Sequence, residues 1–310
     1  MIEIRKDPIS NNTVIINEER QFYKVKKKKD SFKEDNCIFC KGKENETTET
    51  LFELKEKHGW TIRVFQNKFP VLKLQKFKGI TSDFYESWKG HGNSEVIVLT
   101  EKHNECPYDF SISKWFDILK VFKSRLEFNE NFEEIKYCLL FINFGKNSGA
   151  SIPHAHAQLI SFPIIPDNIL TECNSFSENK CCELIKKELK SNRLVFKNKD
   201  FIIFTNYASR FPFETHIYSR KHIGSIKELS SETLYSLSES INQLMTAYKK
   251  TFNQIDFNMV FHNAPIGKNY HFHIEIYPQL NKFASVEYGT GIIVNTYKPE
   301  SCARILRGNI

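Results

Sequence analysis

The sequence predicts an α+β protein that is built from two similar halves with mostly antiparallel sheets flanked by helices. Two repeated patterns predict the duplication. An apolar strand that ends in Lys-His occurs at 96–103 and again at 215–222. A His-x-His-x-polar strand follows each copy at nearly the same separation, at 154–158 and 271–275. Strand–helix–strand halves with hairpin-like patterning favour antiparallel pairing, and we expect the two halves to share one continuous sheet.

A helix follows each Lys-His strand, because apolar residues recur there at helical spacing. The residues that carry this spacing are Trp115, Ile118, Leu119, Phe122 and Leu126 in the first copy, and Leu234, Leu237, Ile241, Leu244, Met245 and Tyr248 in the second. An apolar strand comes next, and it leads into a Gly-Lys-Asn loop, at 145–147 and 267–269. Four landmarks in the same order define an N-terminal half, 1–165, and a C-terminal half, 166–310.

Composition excludes several classes of protein. The chain has 310 residues, 40% of them hydrophobic, and its 27 Phe and 12 Tyr indicate a folded aromatic interior and not a disordered chain. No apolar run approaches the roughly 20 residues of a membrane helix, and the charged N-terminus is unlike a secretory signal. We therefore expect a cytoplasmic protein without membrane partners.

The net charge of +7 suits anionic ligands. Much of this charge comes from five lysines within 24–29. Such a run is more typical of a solvated segment than of a nucleic-acid patch.

Cys37 and Cys40 form a Cys-x-x-Cys pair, a spacing that lets two thiolates bind one tetrahedral zinc ion. Redox pairs share this spacing, but they usually open a helix after a strand, whereas polar residues surround this pair. His103 and His154, each next to a repeat landmark, complete a set of four ligands. Four protein ligands leave no open coordination position, so we predict a structural zinc. The alternative is that His103 is simply exposed and His154 simply part of the core.

The C-terminal half carries a weaker echo of this pattern. Cys181 and Cys182 precede His222 and His271, but adjacent cysteines chelate poorly, so we predict a degenerate or vacant counterpart. This half could still bind a second metal ion through other side chains, and the alternative ligands are Glu172, His262, His273 and Glu275.

The loop 143–151 is rich in small residues, which would let backbone N–H groups approach phosphate oxygens. An ordinary turn is the simpler interpretation of this loop taken alone. His154 and His156 follow it on one face of a strand, because side chains at i and i+2 point the same way. A neutral imidazole is a nucleophile near neutral pH, so His156 is the predicted nucleophile. Gln158, on the same face, can donate a hydrogen bond to a phosphoryl oxygen but cannot act as a general acid.

His273 holds the equivalent position in the second half, with Glu275 two residues later. We expect the Glu275 carboxylate to raise the pKa of His273 and to repel phosphates. The sequence thus predicts that, of the two equivalent histidines, only His156 is catalytic, with Gln158 as the second catalytic residue of its half.

The segment from Asn143 to Gln158, which ends in His-Ala-His-Ala-Gln, resembles the active-site signature of the galactose-1-phosphate uridylyltransferase branch of the histidine-triad superfamily. The resemblance covers nearly the whole chain, and its other matching segments are 5–8, 17–20, 65–70 and 212–215. The close of the chain, with 287–291 followed by Pro299-Glu300 and Ala303, is most similar to the family's short members, including ADP-glucose phosphorylase-like proteins.

This resemblance implies a duplicated histidine-triad fold and a covalent mechanism. His156 would attack the α-phosphorus of a nucleotide sugar and release the sugar 1-phosphate, and a second phosphate would then take the nucleotidyl group. Gln158 would steady the phosphates. The implied substrate-binding residues are Arg20, Asn67, Asn143, Gly149 and Ser151, and the implied structural zinc ligands are Cys37, Cys40, His103 and His154.

Four positions depart from the family pattern. Ala155 replaces the proline that is usual between the two histidines, and Tyr23 stands where uridylyltransferases usually have a second arginine. Lys68 replaces an acidic residue, and Gly291 lies where long members place a sugar-contacting glutamate. The departures leave open which nucleotide, uridine or adenosine, and which sugar the protein uses.

Two other functions compete with a transferase between nucleotide sugar and sugar 1-phosphate. A nucleotide-sugar or dinucleotide phosphorylase would use inorganic phosphate as the acceptor. A non-catalytic zinc protein would bind nucleic acid through the lysine run, although the sequence lacks an ordered aromatic and basic platform. A homodimer is a further hypothesis about partners.

Overall fold

The computed structural model describes residues 2–20, 37–76, 79–81, 84–177 and 180–309, so Tyr23 and the lysine run at 24–29 lie outside the described residues. The strands are β1 (Ile2–Lys6), β2 (Thr13–Asn17), β3 (Thr50–Glu56), β4 (Gly59–Gln66), β5 (Gly79–Thr81), β6 (Glu86–Trp88), β7 (Ser94–Val98), β8 (Tyr137–Phe144), β9 (His156–Phe162), β10 (Leu194–Lys197), β11 (Phe201–Thr205), β12 (Thr215–Ser219), β13 (Phe257–His262), β14 (His273–Pro278) and β15 (Ile293–Asn295). The helices are α1 (Ile112–Glu130), α2 (Asp167–Ser177), α3 (Lys180–Glu188), α4 (Ser231–Phe252), α5 (Ser285–Thr290) and α6 (Pro299–Arg307).

Ten strands form one sheet in the order β10-β11-β12-β14-β13-β8-β9-β7-β4-β3. Every neighbouring pair in this sheet is antiparallel. Five strands come from each predicted half, in mirrored order, and the halves meet where β8 pairs with β13. The α+β fold class is confirmed, and the two halves share one continuous sheet as expected.

Helices α1 and α4 cover one face of this sheet. Each begins after a serine cap, because Ser111 accepts a hydrogen bond from the Lys114 N–H and Ser230 accepts one from the Thr233 N–H. The apolar residues that predicted both helices are all buried. They share one apolar cluster with alternate residues of the central strands, namely Leu140, Ile142, Ala157, Leu159, Met259, Phe261, Ile274 and Ile276. Within the described residues, no helix has the length and apolar character that a membrane crossing requires.

The opposite face of the sheet carries the polar side chains. Residues alternate between the two faces of a strand, so the neighbours of the apolar set, among them His156, Gln158, Asn258, His273 and Glu275, share this second face. We call it the site face. The site face continues from one half into the other, because Asn143 pairs with Asn258 and Val260 pairs with Glu275.

A smaller sheet, in the order β1-β2-β15, ties the N-terminus to the C-terminal half. Arg5 forms an ion pair with Glu300 at 3.1 Å, and the Asn206 amide donates to the Asp7 carboxylate at 2.7 Å. The predicted boundary after residue 165 falls between β9 and α2. Since the first strands pack on the second half, a division into domains 1–165 and 166–310 stays a prediction.

Candidate active site

The structure brings together the four predicted metal ligands. Their ligand atoms, the thiols of Cys37 and Cys40 and the ring nitrogens of His103 and His154, all lie within 4.8 Å of one another. The sulfur–nitrogen separations are 3.5 Å for Cys37–His154, 3.4 Å for Cys40–His103 and 3.7 Å for Cys40–His154. Zinc bonds of about 2.3 Å to sulfur and about 2.0 Å to nitrogen, at tetrahedral angles, place these atoms about 3.5 Å apart. The donor set therefore fits a tetrahedral zinc ion.

Backbone hydrogen bonds orient these ligands. The Cys40 N–H donates to the Cys37 carbonyl at 3.2 Å, which closes the turn that holds both thiols on one side. The Nε2 atom of His154 donates to the Thr100 carbonyl at 2.7 Å, which leaves Nδ1 to face the thiols. Burial lowers the pKa of His154 to about 4, so the imidazole is neutral, as a metal ligand must be.

His156, the predicted nucleophile, begins β9 beside this cluster. Its Nδ1 donates to the His154 carbonyl at 2.7 Å, so Nε2 carries the lone pair. Burial lowers the pKa of His156, which keeps the ring neutral and nucleophilic. The ring of Phe39, one of the two residues between the cysteines, makes a T-shaped contact with His156 with centroids 5.2 Å apart.

Asn143 and Gln158 share the site face with His156. Phe141 pairs with Gln158 and Ile142 with Ala157 in the β8–β9 ladder, so the same register places Asn143 opposite His156. Gln158 is half-buried, between β7 and β8. The structure therefore groups His156, Gln158 and Asn143, as the sequence predicted.

The glycine-rich loop differs from the expected phosphate cradle. The Asn147 N–H donates to the Asp256 carboxylate at 2.8 Å. The N–H groups of Ser148 and Ala150 donate to the Gly145 carbonyl, and that of Gly149 donates to the Lys146 carbonyl. Four successive N–H groups thus have partners within the protein, because the loop folds on itself and around a carboxylate. The expectation that these backbone groups face phosphate is wrong for 147–150 in this conformation.

The other predicted substrate-binding residues lie around this loop or farther away. Gly149 has φ +86°, and a Cβ atom there would lie 3.9 Å from Asn143 Nδ2, so the two residues are neighbours. Ser151 is exposed. Asn67 follows β4, and its side-chain oxygen accepts a hydrogen bond from the Phe69 N–H at 3.0 Å. Arg20 is exposed after β2. No hydrogen bond among the described residues connects Arg20 or Asn67 to His156 or Gln158.

A second group of candidate metal ligands lies on the site face of the other half. Ligand atoms of Glu172, His262 and His273 lie within 4.8 Å of one another. His262 contacts Glu172 at 3.3 Å and Glu275 at 3.3 Å. Glu275 also forms an ion pair with Arg210 at 2.9 Å. Sequence reasoning proposed the glutamates and histidines as alternative metal ligands. It did not find Arg210, because this residue lies in a loop and matches no motif that would connect it to Glu275.

The predicted counterpart of the zinc site is incomplete. His222 and His271 have ring centroids 5.4 Å apart, the same separation as His103 and His154. Cys181, however, is buried in an apolar cluster and Cys182 is exposed. Neither cysteine belongs to a group of candidate ligands in the described part of the chain.

His273 differs from His156 for a reason other than the one expected. Burial, followed by the charge of His262, lowers the pKa of His273 well below its ordinary value. Glu275 raises this pKa as expected, but its effect is the smaller one, so the expectation of a protonated ring is wrong. The ring lies between Tyr218 and His262, with centroid separations of 4.5 and 4.4 Å. Its Nε2 is enclosed, without a hydrogen-bond partner among the described residues. The stacking on both faces and the enclosed Nε2, and not protonation, distinguish His273 from His156.

Comparisons with known proteins agree with this geometry. The family model described as galactose-1-phosphate uridyl transferase, N-terminal domain, matches residues 6–166, and the model of the C-terminal domain matches 169–293. The galactose-1-phosphate uridylyltransferase of Thermotoga maritima is 28% identical over 99% of this chain and 98% of its own length. The ADP-glucose phosphorylase of Arabidopsis thaliana is 26% identical over 98% of this chain and 92% of its own length.

Solved structures show the same fold. The crystal structure of an ADP-glucose phosphorylase from Arabidopsis thaliana with bound ADP-glucose has a TM-score of 0.85 at 24% identity, and covers 99% of this chain and 98% of that one. A structure of a uridylyltransferase has a TM-score of 0.77 at 25% identity, and covers 100% of this chain and 98% of that one.

Proposed function

The chain belongs to the galactose-1-phosphate uridylyltransferase family, and from this premise we propose that it is a nucleotidyltransferase that works through a covalent nucleotidyl-histidine on His156. It moves a nucleoside monophosphate between a nucleotide sugar and a sugar 1-phosphate. The observation that carries the proposal is the orientation of His156: Nδ1 donates to a backbone carbonyl at 2.7 Å, and Nε2 keeps the lone pair beside Asn143 and Gln158.

The first half-reaction forms one bond and breaks one. Nε2 of His156 attacks the α-phosphorus of the nucleotide sugar, and the bond from that phosphorus to the bridging oxygen breaks. The sugar 1-phosphate leaves with the electron pair and needs no proton, which suits a site where Gln158 can donate a hydrogen bond but not a proton. In the second half-reaction, an oxygen of another sugar 1-phosphate attacks the same phosphorus and releases His156.

The Nδ1–H bond to the His154 carbonyl has a role in both steps. It fixes the ring, and it stabilises the positive charge that the imidazole gains when Nε2 bonds to phosphorus. Gln158 and Asn143, on the same face, supply N–H donors for the phosphoryl oxygens. Gly149 and Ser151 are proposed to line the phosphate position, and Arg20 and Asn67 to contact the nucleotide.

Cys37, Cys40, His103 and His154 are proposed to hold a structural zinc ion. With four protein ligands, the ion would have no open position for substrate, and it would supply cross-linking and not Lewis-acid chemistry. The ion would affect the reaction only indirectly. Two of its ligands flank Phe39, which packs on His156, and a third, His154, provides the carbonyl that accepts the hydrogen bond from His156.

Glu172, His262 and His273 are proposed as ligands of a second metal in the C-terminal half. This carboxylate and these two imidazoles lie within 4.8 Å of one another and are all buried. Against the effect of burial, the charges of Glu172 and Glu275 raise the pKa of His262 to about 10, so a first-row divalent cation would bind here in exchange for the His262 proton. Tyr270 donates a hydrogen bond to Glu172 and would orient that carboxylate as an outer-shell partner.

A phosphorylase is the second candidate function, because a relative that matches nearly the whole chain is an ADP-glucose phosphorylase. The first half-reaction would be the same, and inorganic phosphate would take the nucleotidyl group. The identity of nucleotide and sugar, the cytoplasmic location and a homodimer remain predictions, and nucleic-acid binding is the least supported of the alternatives.

Isotope exchange tests the covalent mechanism. Labelled glucose 1-phosphate should exchange into UDP-glucose or ADP-glucose without any second acceptor, because one histidine serves both half-reactions. Adding galactose 1-phosphate or inorganic phosphate separately then distinguishes the transferase from the phosphorylase. Exchange that requires all substrates together would contradict a covalent intermediate.

A further inference from the structure

The half of the chain without a nucleophile contacts the active site through the start of β13. The side-chain amide of Asn258 donates to the Asn143 side-chain oxygen at 2.7 Å and to the Ser148 carbonyl at 2.8 Å. Its own oxygen accepts a hydrogen bond from the Gln279 amide at 2.7 Å. Asn258 thus uses both ends of its amide, and it joins the strand residue opposite His156 to the glycine-rich loop.

The nitrogen and oxygen ends of these side-chain amides can be assigned in only one way. The carbonyl of Ser148 can only accept a hydrogen bond, so the nitrogen of Asn258 must point toward it. Gln279 is fixed in the same way, because its nitrogen also contacts the Tyr277 carbonyl at 3.3 Å. With the nitrogen of Asn258 fixed, Asn143 must present its oxygen to Asn258 and keep its own nitrogen turned away.

The free end of Asn143 is therefore a donor. Asn143 Nδ2 has no hydrogen-bond acceptor among the described residues, and it lies toward Gly149 in the loop before His156. A donor at this position suits a phosphoryl oxygen, which gains negative charge in the transition state. The opposite amide orientation would place an oxygen there and repel the phosphate.

We propose that Asn258 is a positioning residue of the catalytically silent half that sets which end of the Asn143 amide faces the substrate phosphate. This inference rests on the proposed nucleotidyl transfer to His156. It assigns the second half a defined task in the reaction, although that half carries no reactive histidine of its own.

The experiment measures the rate of nucleotidyl-histidine formation in a single turnover, across concentrations of UDP-glucose and, separately, ADP-glucose. Asn258→Asp replaces the donor by an acceptor, so Asn143 must turn its nitrogen toward Asp at 258 and its oxygen toward the substrate. We expect the saturating rate to fall about 100-fold, the scale of losing one transition-state donor. Asn258→Ala frees Asn143 without reversing it, and should lower the rate about 10-fold at most.

Two further variants separate positioning from a general structural role. In an Asn143→Ala background, Asn258→Asp should change the rate less than about threefold, because coupled residues are not additive. Gln279→Glu places an acceptor against the Asn258 oxygen, while the Ser148 carbonyl still holds the Asn258 nitrogen, so it should displace Asn258 from Asn143 and not reverse it. It should lower the rate when Asn143 is present and leave it unaltered in the Asn143→Ala background, which keeps the test open if Asn258→Asp fails to fold. Thermal unfolding of each variant checks the fold.

Asn269→Asp is the matched control. Asn269 is the counterpart of Asn147 in the Gly-Lys-Asn loop of the second half, and it is exposed, so the same change of charge should leave the rate unaltered. Equal losses in Asn258→Asp and Asn258→Ala, or a full effect of Asn258→Asp without Asn143, would overturn the inference alone. A wild-type protein that forms no adduct with either nucleotide sugar would overturn the proposed function and the inference together.

Discussion

His156 and His273 occupy equivalent positions of the duplicated pattern, yet their side chains have different neighbours. Each donates Nδ1–H to the carbonyl of the histidine two residues earlier, at 2.7 and 2.9 Å. The ring of His273 is then covered on both faces by Tyr218 and His262, whereas the ring of His156 makes a T-shaped contact with Phe39. The same backbone pattern therefore holds the proposed nucleophile in one half and a histidine that is stacked on both faces in the other.

Gly145 and Gly267 offer a matched test of the two Gly-Lys-Asn loops. Both have positive φ, +88° and +75°. A Cβ atom at Gly145 would lie 2.2 Å from the Asp256 carboxylate, whereas nothing lies within 4 Å at Gly267. We expect Gly267→Ala to lower the free energy of unfolding by about 1–2 kcal/mol, the cost of a left-handed backbone in an L residue. Gly145→Ala should cost more and should also slow adduct formation, because the loop or Asp256 must move.

Denaturant unfolding gives both free energies, and a single-turnover assay gives the adduct rates. If the two variants lose the same stability and the same activity, the contact between Asp256 and the loop has no special role.

Sequence reasoning predicted some of these residues and not others. His154, His156 and Gln158 could be placed on one face because strand alternation is local. The contacts of Asp256 and Asn258 with the loop join residues more than 100 positions apart, and no local pattern encodes them. The direction of the pKa shift of His273 could not be predicted from the sequence either, since it depends on how completely the neighbouring side chains bury the ring.

At the scale of elements, the turn 37–40 links the candidate metal ligands to the proposed nucleophile. Its two cysteines face His103 and His154, and Phe39 between them packs on His156. Loss of the metal would release the turn and, with it, the Phe39 contact. With the proposed metal bound, this turn would be held by ligands that lie after β7 and before β9, far from it along the chain.

Cys37→Ser should remove zinc from the protein and lower its melting temperature, because a structural site with a missing ligand is incomplete. Cys182→Ser, at an exposed cysteine outside the candidate sites, is the control and should retain both. Metal analysis and thermal unfolding of protein never exposed to chelator provide the measurement. A wild-type zinc content near zero, or a normal content in Cys37→Ser, would contradict the site.

The elements were predictable where their signal is repeated along the chain. The apolar spacing that predicted α1 and α4 corresponds to buried residues in both. The small sheet was not predictable, because β15 has only three residues and pairs in parallel with β2, Ile293 with Val14. Parallel pairing of chain ends depends on the whole fold and leaves no local pattern.

At the scale of the whole molecule, the ten-stranded antiparallel sheet brings the second half into contact with the candidate site. Helices cover one face, and the site face runs without interruption from His156 to His273 through the β8–β13 pair. The second half supports the loop before His156, through Asp256 and Asn258, while its own histidine is enclosed. Sequence repeats predicted the shared sheet but not these contacts of the second half with the loop.

The most direct test of the account is the intact mass of the protein after incubation with UDP-glucose or ADP-glucose. Wild type and His273→Ala should each gain the mass of one nucleoside monophosphate, and the gained mass identifies the nucleotide. His156→Ala should gain none, a loss of several orders of magnitude in adduct formation. An adduct on His156→Ala, or adduct formation that depends on His273 instead, would contradict the assignment of the nucleophile.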